Sequence, residues 1–168
     1  MNGLYTETCV KRKLTFGLQA ARAALIAVTV GLVLFGLLGG SGIILFLGVA
    51  AGIALYFFLP QFNVEWEYIF CDGQIDFDRI SGGEKRKTML KIDMDNVDII
   101  APVHSHELDS YNSQQNVTVK DFSSKVDGVP RYCIFSSKDG QKLKIIFEPS
   151  ETMLDYARQK SPRKVFRD

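Results

Sequence analysis

Apolar residues crowd one part of this chain and alternate with polar ones in the rest. Between residues 23 and 59 there is no Asp, Glu, Lys or Arg. A single membrane-spanning helix needs about 20 apolar residues, so this run is long enough for about two. It is broken in its middle by FGLLGGSGIILF, where Gly39, Gly40, Ser41 and Gly42 make a poor helix and a good tight turn. The pattern predicts two helices, 18–38 and 43–59, folded back as a hairpin. A cleaved signal peptide fits poorly, because a second apolar run follows the first at once. A buried soluble hairpin would carry a polar stripe, and neither helix has one.

Beyond residue 60 the period changes from helical to two. In VEWEYIFCDGQIDFDRIS (64–81), Val64, Trp66, Tyr68 and Phe70 share one face. Asp72-Gly73 suits a two-residue hairpin turn, since both positions accept positive φ. That register sets Phe70 opposite Ile75, Tyr68 opposite Phe77 and Trp66 opposite Arg79; a slip of one would bury Glu65 and Glu67. Further strands are expected in TMLKID, NVDIIAPV and NVTVKDF, followed by a second hairpin, RYCIFSSKDGQKLKIIF. There the turn is Asp139-Gly140, and Tyr132 and Ile134 face Phe147 and Ile145. A helix over 151–159 closes the chain, with Ser150 as its N-cap and Met153, Leu154 and Ala157 as its apolar stripe. Ser161-Pro162 stops it.

The predicted architecture is α+β: an N-terminal transmembrane helical hairpin, then a small antiparallel β-barrel or sandwich with one C-terminal helix. Three regions follow: a cytoplasmic segment 1–17, the hairpin 18–60, and a β-rich domain 61–168 ending in a basic tail. Seven short strands and a closing helix are the layout of a pleckstrin-homology-like (PH-like) domain. LKIDMDNVDII resembles a stretch found in bacterial domains of that class, with Ile92, Asp93, Met94, Asp95, Asn96 and Val97 in its place. The whole chain, through YTE, VEWEYIFCDGQIDFDRI, SHELDSY, VKDFSS, IFEPSETML and PRKVF, resembles a family of bacterial membrane proteins whose domain has no assigned function. The resemblance implies two spans and a β-rich cytoplasmic domain, and it brings no activity.

Charge adds orientation. Lys11, Arg12, Lys13 and Arg22 form a basic flank before and just inside the first helix. The positive-inside rule puts that flank in the cytoplasm, and two spans return the chain to the same side. Both termini are therefore expected in the cytoplasm and the protein in the cell membrane. Tyr56, Phe57, Phe58 and Trp66 gather where the second helix ends, as an interfacial aromatic belt would. Gly31, Gly36, Gly48 and Gly52 leave room for close helix contact, and so for a homo-oligomer. The formal net charge of +1 gives no reason to expect a nucleic-acid partner.

Candidate chemistry is sparse. Cys9, Cys71 and Cys133 are far apart and odd in number, which reads as free thiols rather than a disulfide framework or zinc site. There is no GxSxG, HExxH or P-loop spacing, so no catalytic residue is named. Asn116-Val117-Thr118 matches a glycosylation sequon, which has no meaning on a bacterial cytoplasmic face. HSHELDS (104–110) holds both histidines of the chain. On a strand, His104 and His106 would point the same way and suit one metal ion. Glu107 would then face away, Asp109 would lie far from the first histidine, and the flanking Pro102 and LDSYNSQQN favour a solvated loop. No metal and no cofactor is expected. SGGEKRK carries Lys85, Arg86 and Lys87. A first strand leaving the bilayer and a second returning would bring this loop back to the anionic headgroups; the basic ending 163–167 invites the same thought. The expected role is binding or scaffolding, for membrane lipids and a protein partner of unknown identity. The rivals are a metal-dependent membrane enzyme using His104 and His106, and a small oligomeric transport component.

Overall fold

The computed structural model describes residues 3–83, 85–138 and 140–167. They form two compact units: one of 3–12, 65–80 and 85–167, the other of 13–64 and 81–83.

The first unit is a sandwich of two four-stranded sheets. One sheet has the order β1-β2-β3-β4, from Tyr5–Lys11, Val64–Cys71, Gln74–Ser81 and Lys85–Asp93. The other has the order β5-β7-β8-β6, from Val97–Pro102 (β5), Val117–Asp121 (β6), Tyr132–Lys138 (β7) and Gln141–Phe147 (β8). Two expectations need correction. The strands make two separate sheets, with no closed barrel among the described residues. Nor is the pairing wholly antiparallel, since β6 lies parallel to β8. The connection from β6 to β7 crosses over, so β6 takes the outer edge beyond β8.

The larger correction concerns residues 1–17, expected to be a separate segment. Tyr5–Lys11 is a strand of the first sheet, antiparallel to β2 in a register that runs from Tyr5 opposite Cys71 to Lys11 opposite Glu65. Thr6, Thr8 and Val10 turn inward over the buried row Phe70, Tyr68 and Trp66, while Tyr5, Glu7, Cys9 and Lys11 are exposed. The apolar helices are thus inserted between two neighbouring strands of one sheet.

The hairpins follow from backbone freedom and alternation. Asp72 and Gly73 both have positive φ, 48° and 107°, as a tight two-residue turn demands. In the β7–β8 ladder Tyr132 pairs with Phe147 and Ile134 with Ile145, as the alternation predicts. Gly140 has φ of 75°; Asp139, the other expected turn residue, lies outside the described residues.

An aromatic cluster fills the core. Tyr68, Phe77 and Phe147 meet edge to face with centroids 5.7 Å apart, and Phe122 stacks on Phe77 at 4.9 Å. Such pairs add about 0.5–1.5 kcal/mol each beyond the area they bury. The Tyr68 hydroxyl is fully enclosed and donates to the Phe122 carbonyl at 2.6 Å. Burial pushes its pKa up, so it stays a donor.

The closing helix runs Glu151–Lys160, with the Ser150 hydroxyl accepting from the Met153 N–H and with Met153, Leu154 and Ala157 buried. A four-residue helix, Asp109–Asn112, is α3 in chain order, and the closing helix is α4. The basic tail after α4 is not a free arm. Val165 is buried and bridges to Ile100; the Ile100 N–H donates to the Lys164 carbonyl, and the Phe166 N–H to the Ile100 carbonyl. The Lys164 ammonium donates to the carbonyls of Met94 and Asp95.

The second unit is the helical pair, α1 at Phe16–Leu38 and α2 at Gly42–Phe58. Gly40, at φ of 65°, makes the turn between them. α1 is long and apolar enough to cross a membrane; α2 is apolar over 17 residues and shorter. The helices approach closely at two glycines. A Cβ on Gly36 would stand 2.5 Å from the backbone nitrogen of Leu45, and one on Gly48 would stand 2.9 Å from that of Val33. These two glycines therefore serve contact within the hairpin. A Cβ on Gly31 would meet nothing within 4 Å.

Candidate functional site

Two surfaces carry features that a packed core does not explain. The first is the helical pair. In α1 and α2 only Gly36 and Gly48 are buried. Leu34, Phe35, Leu37 and Leu38 of α1, and Phe46, Leu47, Ile53 and Phe57 of α2, are each about half exposed or more. A helix that is apolar all round requires an apolar surrounding. Arg22 is half-buried on α1, beside Leu18, Leu25 and Leu59. Tyr56, Phe57 and Phe58 are exposed at the end of α2. Trp66 does not join them. It belongs to the inward row of β2, is 6% exposed, and packs edge to face on Phe122 at 4.9 Å. The alternation that set its neighbours inward sets Trp66 inward too.

The second surface is the outer face of the first sheet. Glu67 and Asp78 stand there almost wholly covered, at 7% and 5% exposure. Arg86 meets both: its Nη2 donates to Glu67 at 2.8 Å and its Nε lies 3.9 Å from Asp78. Burial pushes the Glu67 carboxyl above its ordinary range and Arg86 pulls it back. Lys91 pairs with Asp76 at 2.6 Å, and Lys11 with Glu65 at 3.1 Å.

This divides the basic group expected to face lipid. Lys85, Arg86 and Lys87 are not a loop; they open β4. Arg86 is held by two carboxylates of its own sheet, and Lys85 and Lys87 are exposed. The turn before them, Gly82-Gly83, has positive φ at both residues. The Gly82 N–H donates to the Asn63 carbonyl, and a Cβ on Gly82 would meet Pro60. The turn is therefore packed on the exit of α2. Arg12 and Lys13 are exposed in the link between β1 and α1.

HSHELDS has a structural explanation in its least polar member. Leu108 is fully buried with Ile99, Ala101, Cys133 and Phe135. The turn His106–Leu108 that delivers it is capped by the Ser105 hydroxyl, which accepts from the Glu107 N–H. His104 is exposed, and His106 lies 3.4 Å from Asp109 with both in solvent. Among the described residues no group of three or more His, Cys, Asp or Glu is placed to hold a metal ion. Cys9 and Cys71 are exposed free thiols and Cys133 is a buried one.

A two-sheet sandwich closed by one C-terminal helix, with its strands on either side of an apolar insertion, defines a PH-like domain of the bacterial kind. The chain matches the family described as Bacterial PH-like domain (DUF6106) over residues 2–167, and it belongs to that family. No curated protein and no solved structure gives a match.

Proposed function

We propose that this protein is a membrane-anchored binding module. α1 and α2 act as two spans, and the PH-like domain stands at the cytoplasmic face with both termini on that side. The observation that carries this reading is the place of the insertion. Lys11 and Glu65 are directly paired across β1 and β2, so the chain leaves the sheet and returns to it one strand spacing away, about 5 Å. A segment whose two ends meet on one side of a bilayer crosses it an even number of times or not at all. The exposed apolar surface of both helices favours crossing. At 17 residues α2 would reach about 25 Å, slightly short of a hydrocarbon core of about 30 Å. Local thinning or snorkelling of the flanking residues makes up such a deficit at modest cost. The flank Lys11, Arg12, Lys13 and Arg22 then sets the cytoplasmic side.

Lys85 and Lys87 follow the turn packed on the α2 exit, and they are the residues we assign to anionic headgroups. The domain's role is binding, to lipid and to a protein partner, rather than catalysis. The metal-enzyme reading finds no support in the solvated pairing of His106 with Asp109. The transport reading finds none in helices without a polar stripe.

Reporter fusions test the topology. A cytoplasm-dependent reporter after residue 168 should be active, and an export-dependent one inserted at Gly40 should be active. Alkaline phosphatase activity at the C-terminus would overturn the arrangement.

A further inference from the structure

The covered carboxylates beneath Arg86 outnumber it. β2 ends at Cys71 and β3 begins at Gln74, on either side of a two-residue turn, so Glu67 and Asp78 stand opposite each other on neighbouring strands. Like charges in directly opposed positions repel, and a buried carboxylate needs a partner for its charge. One guanidinium serves both, and unequally. The Arg86 Nη2 donates to Glu67 at 2.8 Å, whereas its Nε lies 3.9 Å from the Asp78 Oδ2, too far for a hydrogen bond. The Asp78 Oδ1 is buried and has no hydrogen-bond partner at all.

The neighbouring groups do not supply the missing charge. On β1, Cys9 stands opposite Glu67, and Glu7 accepts from the Tyr5 hydroxyl at 2.8 Å. Lys11 is taken by Glu65 and Lys91 by Asp76. Burial pushes the Glu67 carboxyl up, and the charges of Glu7 and Asp78 push the same way against Arg86. Among the described residues the site therefore sets two buried carboxylates against one cation. A proton removes the excess charge and turns one carboxyl from an acceptor into a donor. The position matters because Arg86 secures the start of β4. Lys85 to Met89 are all exposed, and Ile92 is the buried residue of that strand. The two ion pairs of Arg86 are the side-chain tie between this end of β4 and the strands beside it.

We infer that Glu67 and Asp78 form a proton-binding pair that works as a pH-sensitive latch on Arg86. As pH falls from neutrality the pair takes one proton from water, and that proton belongs to the pair rather than to either residue. The negative charge facing the guanidinium is then halved. Its hold eases, and the start of β4 loosens while Ile92 keeps the far end of the strand in place.

The full chain, reconstituted in phosphatidylcholine nanodiscs with carbon-13 in its carboxyl groups and nitrogen-15 in its arginines, tests this between pH 8 and pH 5. The Glu67 and Asp78 carboxyl signals should move together, with a midpoint at least one pH unit above the value of about 4.3 for a free glutamate. The heteronuclear Overhauser effect of the Arg86 Nε–H should be that of a rigid group above the midpoint and of a mobile one below it. Asp78→Asn should return Glu67 to the ordinary carboxylate range and keep Arg86 rigid down to pH 5. Glu67→Gln should leave Arg86 mobile at every pH. Both variants replace a charge by a neutral group of the same shape, and the titration of the unaltered protein needs neither of them. Carboxyl signals that stay ionised throughout, or an Arg86 signal as rigid at pH 5 as at pH 8, overturn the latch.

Discussion

Replacing residues 12–64 with Asn-Gly should convert this protein into a soluble, folded domain. Lys11 and Glu65 are the last pair of the β1–β2 register, and two residues are enough to close an antiparallel pair there. The magnitude comes from chain closure. Joining β1 to β2 through a flexible linker as long as the native segment, about 50 residues, costs roughly 3 kcal/mol more entropy than closing it through two. The Asn-Gly variant should therefore exceed a Gly/Ser-linked variant of native length by up to about 3 kcal/mol. In urea this is a midpoint shift of roughly 1–3 M, given slopes of about 1–3 kcal/mol per molar. A chain that begins at Glu65 is the control. It lacks β1, leaves the edge of β2 unpaired, and removes the bond from Thr8 to Ser150. It should unfold earlier than both linked variants and self-associate. If it unfolds at the same urea concentration as the Asn-Gly variant, β1 is not part of the fold and the insertion reasoning fails.

Lys85→Gln with Lys87→Gln should weaken electrostatic attachment to anionic vesicles by about 2 kcal/mol at most, roughly 30-fold, and the effect should fade with salt, as a flotation assay would show. Arg86→Gln should leave that attachment nearly unchanged and instead lower stability by about 1–3 kcal/mol by stranding Glu67 and Asp78. Because burial raises the Glu67 carboxyl, its protonated form favours the fold; the cost of Arg86→Gln should be greatest where Glu67 is ionised and should shrink as pH falls through the carboxylate range, read as thermal midpoints against pH. Gly36→Leu should part the two helices at a cost of about 1–3 kcal/mol, while Gly31→Leu should not, and crosslinking between cysteines placed across the hairpin distinguishes them. Alkylation should reach Cys71 at neutral pH and spare Cys133, whose thiol burial pushes up to about 11, until the domain is unfolded; fast labelling of Cys133 in native protein would count against its enclosure.

What was legible in the sequence is what short-range periodicity encodes. The rows Trp66-Tyr68-Phe70 and Ile75-Phe77, the ladder from Tyr132 to Phe147, the glycine turn between α1 and α2, and the Ser150 cap all follow from residues close in the chain. β1 was missed because YTETCVK is a weak strand by itself. Its inward positions are Thr6, Thr8 and Val10, and its partner lies beyond the whole helical pair. The alternation in that heptapeptide was the available signal. The parallel β6–β8 pairing was hidden for the same reason, since a crossover leaves no trace in local pattern. Arg86 looked like a lipid contact because its charge is visible in sequence and its partners, on two other strands, are not. Trp66 was misplaced by nearness to α2 although its own alternation had already set it inward. The tail 163–167 looked like a basic arm because its use rests on one buried side chain, Val165, and a few backbone bonds.

The insertion between β1 and β2 also dictates an order of events during synthesis. β1 is made before both helices, and its partner strand appears only after them. At bacterial translation speeds of about 5–20 residues per second, the first strand waits roughly 3–12 s for the second. Throughout that interval it offers an open edge to other nascent chains. Its composition suits the wait: it is seven residues long, it carries Glu7 and Lys11 on one face and two threonines on the other, and it is too polar to collapse alone. The sheet can close only after both helices have been made, so a completed β1–β2 ladder is a record that the whole insertion has been synthesised.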